Sequence, residues 1–402
     1  MGKTTNGIIA LMLSKGASNR RRRSNLFGTV NTDNNVLICG GDYNSYNQQS
    51  AWLLLEQRLE ECHDNFYPTI ILSSDTAWSN DMYSEFGNDI AYLGRNVKYD
   101  PFIGCVNTEQ INFILEHIAE SYVRVSKSTV DPSRLLTLCK QFVSILELTY
   151  GVESLSLNTF IGIGDMAANA DGLLAFCNSL ISEGFVISGS VKQALNREWN
   201  QSFPVFCDML DRLKREFSYY STSSQIYSLS ELLEQGNCVL LDIIRVDNSL
   251  TMAAVTAELK QMFRLNIPFC FINNNVPLDE NFDELFMPRG VDSILFTMYF
   301  NSLENMKLPL NNLSGLTDNL VCLGCNNAYD ARQLIEAYSD DGFDWVADIG
   351  VFGIGAHKAK APKIQVEDLM RWDPRIRRGV RDGQAYIFDS TVGAVRVRNL
   401  IV

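Results

Sequence analysis

"VLICGGDYNSYNQQSAWLLLEQ" occupies Val36 to Gln57. Four apolar residues read as a buried strand, two glycines turn the chain, and a helix leaves the turn. That is the plan of a phosphate-binding loop, in which backbone N–H groups at a helix start hold an anion. The template GxxxxGK[ST], set at Gly40, runs through Gly41, Asp42, Tyr43 and Asn44 to Ser45, Tyr46 and Asn47. Ser45 replaces the second glycine, Tyr46 the phosphate-holding lysine and Asn47 the magnesium hydroxyl, so the register is present without its chemistry. Taken alone, the same residues suit a plain strand-to-helix turn.

Outward from this unit the pattern continues. "TIILSSD" (Thr69 to Asp75) completes a βαβ unit, "NVKYDPF" (Asn96 to Phe102) reads as a short third strand, and Asn107 to Val123 as an amphipathic helix capped by Asn107. From Asp131 to Ser218 the apolar spacing is predominantly helical. Strands return at Asn237 to Ile244, Ile267 to Asn275, Asp292 to Tyr299 and Asn319 to Gly324, with a helix over Leu250 to Phe263. Such alternation predicts an α/β fold with a mostly parallel sheet covered on both faces. The expected division is a flexible basic segment (1–30), a first part of the core (31–130), an all-helical insertion (131–218) and a second part of the core (219–402).

With 402 residues, 46% hydrophobic and 20% charged, the chain has material for a large core. Its unbroken apolar runs, such as Ile8 to Leu13, are far shorter than the roughly 20 residues that span a bilayer, which predicts a cytoplasmic protein. Ten cysteines, mostly single within apolar segments (Cys39, Cys105, Cys238, Cys270), suit reduced core thiols. Cys322 and Cys325 form the one CxxC pair. With three histidines, His63, His117 and His357, no zinc spacing is recognisable and no metal is expected. The formal net charge of −13 argues against a surface generally attractive to nucleic acid. Arg20, Arg21, Arg22 and Arg23 form a local basic run, read as a solvated arm or as a contact for DNA, RNA or acidic lipid.

Three further stretches imitate functional motifs. "GKTT" (Gly2 to Thr5) copies the end of a phosphate loop but has no strand before it. "GIGDMAANADG" (Gly162 to Gly172) meets only a loose GxGxxA form and reads as a helix-entry turn. "FGIGAHKAKAPK" (Phe352 to Lys363) reads as a mobile surface loop. Asp340 and Asp341, like Asp279 and Glu280, lie in polar turns and look like solvated caps.

In order and spacing, "NVLICGG", "IILSSD", "YDPFIG", the helical interruption and "SLSELLEQGNCVLLDII" resemble the ATPase of conjugative type IV coupling proteins, the TraG-like branch of the HerA/FtsK superfamily. "IQVEDLMRWDP" and "GQAYIFDSTVGAVRVRNLI" resemble that family's closing helix and final hairpin. The resemblance covers about Asn31 to Val402 and implies a RecA-like P-loop NTPase core with an inserted helical domain. It places Asn273 and Asn274, in "FCFINN", where two acids should end the Walker B strand. A neutral asparagine cannot replace the base. The resemblance therefore implies a pseudo-ATPase: no catalytic residues, no cofactor expected, and ATP with magnesium as the exception. It also implies protein partners, either a paralogous ATPase or a secretion or transfer apparatus, in a homo- or hetero-oligomer that is cytoplasmic or peripheral to a membrane-bound apparatus. The alternatives are a DNA-translocating ATPase with a non-standard nucleotide site, and a free-standing structural assembly protein.

Overall fold

The computed structural model describes residues 34–40, 46–167, 170–186, 189–220, 225–243, 249–278, 280–286, 294–303, 305–306, 308, 313, 316–323, 344–346, 384–389 and 394–399. The chain forms two compact units, one from Met1–Glu61 with Leu295–Val402, the other from Cys62–Ile294. In both, the expected α/β architecture is observed.

In the first unit β1 (Val36–Cys39) lies between β8 (Leu295–Phe300) and β9 (Asn319–Leu323), parallel to both. All four side chains of β1 are buried, as a parallel strand covered on both faces requires. Beyond β9 the order continues through β11 (Gln384–Asp389), β12 (Ala394–Asn399) and β10 (Asp344–Val346). β11 runs antiparallel to both β9 and β12, so the final hairpin is present. Asn35 stitches the entry to this sheet. Its side-chain Oδ1 accepts from Phe296 N (2.8 Å), its Nδ2 donates to the Leu316 carbonyl (3.0 Å), and its backbone N–H donates to Asp318 Oδ2 (2.8 Å). Arg58, on α1 (Tyr46–Asp64), is buried and donates through Nε to Thr297 Oγ1 (2.9 Å) and through Nη2 to the Asn34 carbonyl, tying that helix to β8.

The second unit contains β2 (Thr69–Ser73), with β7 (Cys270–Asn274) on one side and β6 (Cys238–Asp242) on the other, all parallel; β3 (Ile90–Tyr92) pairs parallel with β6. Here the third strand departs from the expected one. β3 precedes the "NVKYDPF" stretch, of which Lys98–Tyr99 forms β4, paired with β5 (Ile226–Tyr227) in a separate two-stranded sheet. The Asp100 carboxylate explains the change: it accepts from Phe102 N and from Leu157 N at 3.0 Å. The DP turn is thereby committed to capping the distant start of α5 (Leu157–Ala167).

α2 (Thr76–Phe86) starts at Asp75, whose side chain accepts from Trp78 N, and α3 (Thr108–Ser126) starts at Asn107, the expected cap. α4 (Pro132–Tyr150) has Asp131 as its cap and proline in its first turn. α5, α6 (Ala170–Ser182) and α7 (Gly189–Ser218) continue the helical run. Gly162 and Gly164 lie inside α5, so the stretch up to Ala167 is helix body and not an entry turn. α8 (Leu229–Glu234) opens with a reciprocal Ser228–Glu231 capping box, and α9 (Ser249–Arg264) packs along α3.

Candidate functional site

Parallel sheets present ligand sites where their strands end, because the turns and helix starts there leave backbone N–H groups free to point at an anion. β1 ends at Cys39 and is followed by Gly40, whose φ of +99° is a conformation that glycine adopts without steric cost. Gly40 N–H donates to the Phe300 carbonyl at 2.9 Å, which holds the turn to β8. α1 then begins at Tyr46, with Asn47 second. Gly41 and Ser45 lie outside the described residues, as do the side chains of Tyr46 and Asn47 and the whole Arg20–Arg23 run.

In the second unit the corresponding ends carry a polar cluster. β2 closes on Ser73 and runs into Ser74 and Asp75, β6 closes on Asp242, and β7 closes on Asn273 and Asn274. Ser73, Asp242, Asn273 and Asn274 are buried. Asn274 Nδ2 donates to Ser73 Oγ (3.3 Å), while the Asn274 carbonyl accepts from Ser74 N (3.0 Å) and Ser74 Oγ (3.3 Å). Asn273 Nδ2 folds back onto the Val276 carbonyl (3.2 Å). Both bonds use an N–H that a carboxylate lacks, so these residues are fitted as amides.

Asp242 is the buried acid of this edge. Oδ1 accepts from Ser79 Oγ (2.7 Å) and Oδ2 from Tyr92 Oη (2.8 Å). Burial raises its pKa, and the hydroxyls of Ser79, Tyr92 and Thr76 pull it back. Sequence reasoning missed Ser73, Ser79 and Asp242 as site neighbours. The available signal was positional: "TIILSSD", "CVLLD" and "CFINNN" each end an apolar strand on polar groups.

Other candidates resolve simply. Cys322 is a buried strand residue, and no disulfide joins the described cysteines. His63 lies beside Asp64 (3.7 Å) and Asp89 (3.8 Å). Among the described residues no group of three His, Cys, Asp or Glu side chains converges on a metal position, and no helix is long and apolar enough to cross a membrane. Cys325, His357, Asp279, Asp340, Asp341 and the 2–5 and 352–363 stretches lie outside the described residues.

No protein-family model and no curated protein matches the chain. Solved structures do. The bacterial conjugative coupling protein TrwBdeltaN70, in its unbound monoclinic form, is similar at a TM-score of 0.55 and 13% identity over 91% of this chain and 84% of that one. The plasmid coupling protein TrwB in complex with ADP and Mg2+ gives 0.57 and 13% over 92% and 85%. The same protein with the non-hydrolysable GTP analogue GDPNP gives 0.57 and 13% over 91% and 85%. The fold is thus that of a conjugative coupling protein, with the RecA-like α/β core expected from the sequence. These structures also correct the expectation that no cofactor is taken, since the fold in question holds ADP with Mg2+ in one case and GDPNP in another.

Proposed function

We propose that this chain, folded as conjugative coupling proteins are folded, is a nucleotide-holding, hydrolysis-deficient subunit of a conjugation or related DNA-transfer apparatus. The observation that carries this reading is the pair Asn273–Asn274, buried at the end of β7 and bonded as amides to Val276 and Ser73. Cleaving a γ-phosphate requires one carboxylate in the magnesium shell and another group to position the attacking water. A carboxamide brings neither negative charge nor a basic oxygen, and Tyr46 at the lysine position brings no positive charge.

Holding a nucleotide requires less. A glycine turn at the end of a buried strand, with a helix start shortly after it, can supply backbone N–H groups to phosphate oxygens; Gly40 follows β1 at a φ of +99° and α1 starts at Tyr46. The backbone therefore suits phosphate oxygens, whereas Asn273 and Asn274 bring no carboxylate to a magnesium ion. Magnesium, when bound with the nucleotide, would supply charge neutralisation on the phosphates, and Asn273 and Asn274 would offer it neutral carboxamide oxygens only. A subunit of this kind acts through assembly, with copies of itself or with an active ATPase.

A fluorescent ATP analogue titrated into the pure protein with and without Mg2+, beside a phosphate-release assay on the same sample, tests both halves. Saturable binding with release no faster than the buffer blank is expected. Release that Asn274→Ala abolishes would overturn the hydrolytic half, and absence of binding the nucleotide half.

A further inference from the structure

The polar groups at the ends of β7, β2 and β6 form one continuous line of hydrogen bonds. Asn274 Nδ2 donates to Ser73 Oγ (3.3 Å), which also accepts from Asp75 N (3.1 Å) and donates to the Asp75 carbonyl (3.1 Å). That carbonyl lies 3.0 Å from Ser79 N and 2.9 Å from Ser79 Oγ. Ser79 Oγ reaches Asp242 Oδ1 at 2.7 Å, and Asp242 Oδ2 takes the Tyr92 hydroxyl at 2.8 Å. Asn274, Ser73, Ser79, Asp242 and Tyr92 are all buried, so water does not substitute freely for any link.

Ser79 is the pivot of the line. Its hydroxyl carries one proton and cannot donate to the Asp75 carbonyl and to Asp242 together. The shorter bond to the carboxylate is the stronger, so Asp242 draws the proton toward β6. The Asp75 carbonyl, which also accepts from Ser79 N, then keeps its other lone pair for the Ser73 hydroxyl. With its proton committed there, Ser73 presents lone pairs to Asn274 Nδ2 and Asp75 N. Without Asp242, Ser79 competes for the same carbonyl, and the Ser73 hydroxyl loses the acceptor that orients it.

We propose that Asp242 is a positioning residue for the Asn274 carboxamide and, through it, for the bound nucleotide. The second step rests on the nucleotide reading above; the first does not. A simple electrostatic role would have the opposite sign, because removing a buried anion favours an anionic ligand.

The test uses the full chain as Asp242→Asn, Ser79→Ala and the double variant, with Ser84→Ala as control. Ser84 donates its hydroxyl to the Asn80 carbonyl on the exposed side of the same helix. Two quantities are read: the side-chain amide NMR peaks of Asn274, assigned by their loss in Asn274→Asp, and affinity for a fluorescent ATP analogue. Asp242→Asn is expected to shift the Asn274 peaks and weaken binding about three- to tenfold, whereas Ser79→Ala removes the competing hydroxyl and, alone or combined with Asp242→Asn, leaves both near wild type. The control leaves both unchanged. Unmoved peaks or tighter binding in Asp242→Asn, or a double variant that loses as much as Asp242→Asn alone, would overturn the proposal, even if melting temperatures fall. If the wild type binds no nucleotide, the functional reading fails while the peaks still decide the positioning step. Should Asp242→Asn fail to fold, Asp242→Ser, alone and with Ser79→Ala, decides it by the same criteria.

Discussion

Glu258 sits on α9 with 1% of its surface exposed, and its carboxylate accepts from Tyr99 Oη at 2.5 Å and from Ser230 N and Oγ at 3.2 and 3.3 Å. Burial pushes this acid up to about 8, against the pull of the Tyr99 and Ser230 hydrogen bonds. The folded protein therefore holds a proton that the unfolded chain releases near pH 4.5. Its contribution to stability is complete below that value and is lost as pH rises toward 8. Urea denaturation between pH 5 and 8 should show the wild type losing stability relative to Glu258→Gln, and parallel curves would contradict the assignment. The helix that carries Glu258 was legible in the sequence, but the residue's burial was not. Its partners come from 159 and 28 residues away, and no local pattern encodes them. The opposite holds for Asn273 and Asn274, which the family resemblance singled out from the sequence, and the structure adds which amide protons are used.

Between elements, α3 and α9 meet around a neutral imidazole. His117 Nδ1 donates to the Phe113 carbonyl (3.0 Å), so Nε2 is free to accept from Lys260 Nζ (3.3 Å), and Glu284 lies 3.7 Å beyond. Arg264 pairs with Glu284 through Nε and Nη2 and stacks over Phe113 at 4.6 Å, which itself lies 4.5 Å from the His117 ring. Burial, with Lys260 and Arg264 nearby, lowers the His117 pKa, although Phe113 and Glu116 oppose the shift. A depressed folded value means that stability is present above the unfolded pKa, about 6.5, and is lost as pH falls below it. Denaturation of the wild type minus His117→Gln between pH 7 and 5 should fall with a slope of at most about 1.4 kcal/mol per pH unit; a flat difference would refute it. Strand and helix positions here were readable from apolar periodicity. The displaced third strand was not, because β4 pairs with β5 more than a hundred residues later and Asp100 is committed to α5.

At the scale of the whole chain, the α/β alternation follows from which residues are apolar, and the fold it builds is shared at 13% identity with a solved coupling protein. Polar residues carry the site, and their partners depend on tertiary geometry, so the positions at strand ends were legible while the Ser79–Asp242 link was not. Net charge acts at this scale too. A formal charge of −13 surrounds an anionic ligand with a repulsive field. Its reach is about 30 Å at 0.01 M ionic strength and about 10 Å at 0.1 M. If the bound nucleotide is held chiefly by backbone N–H groups of a glycine turn, the local attraction is short-ranged and little screened, while the chain's repulsion is long-ranged and strongly screened. Stopped-flow association of a fluorescent ATP analogue should therefore quicken as salt rises from 0.01 to 0.1 M, with the dissociation rate nearly unchanged. Slower association with added salt would mean that a basic patch steers the nucleotide. The Arg20–Arg23 run is the first such patch to neutralise, and loss of the salt effect in that variant would assign the steering to those arginines.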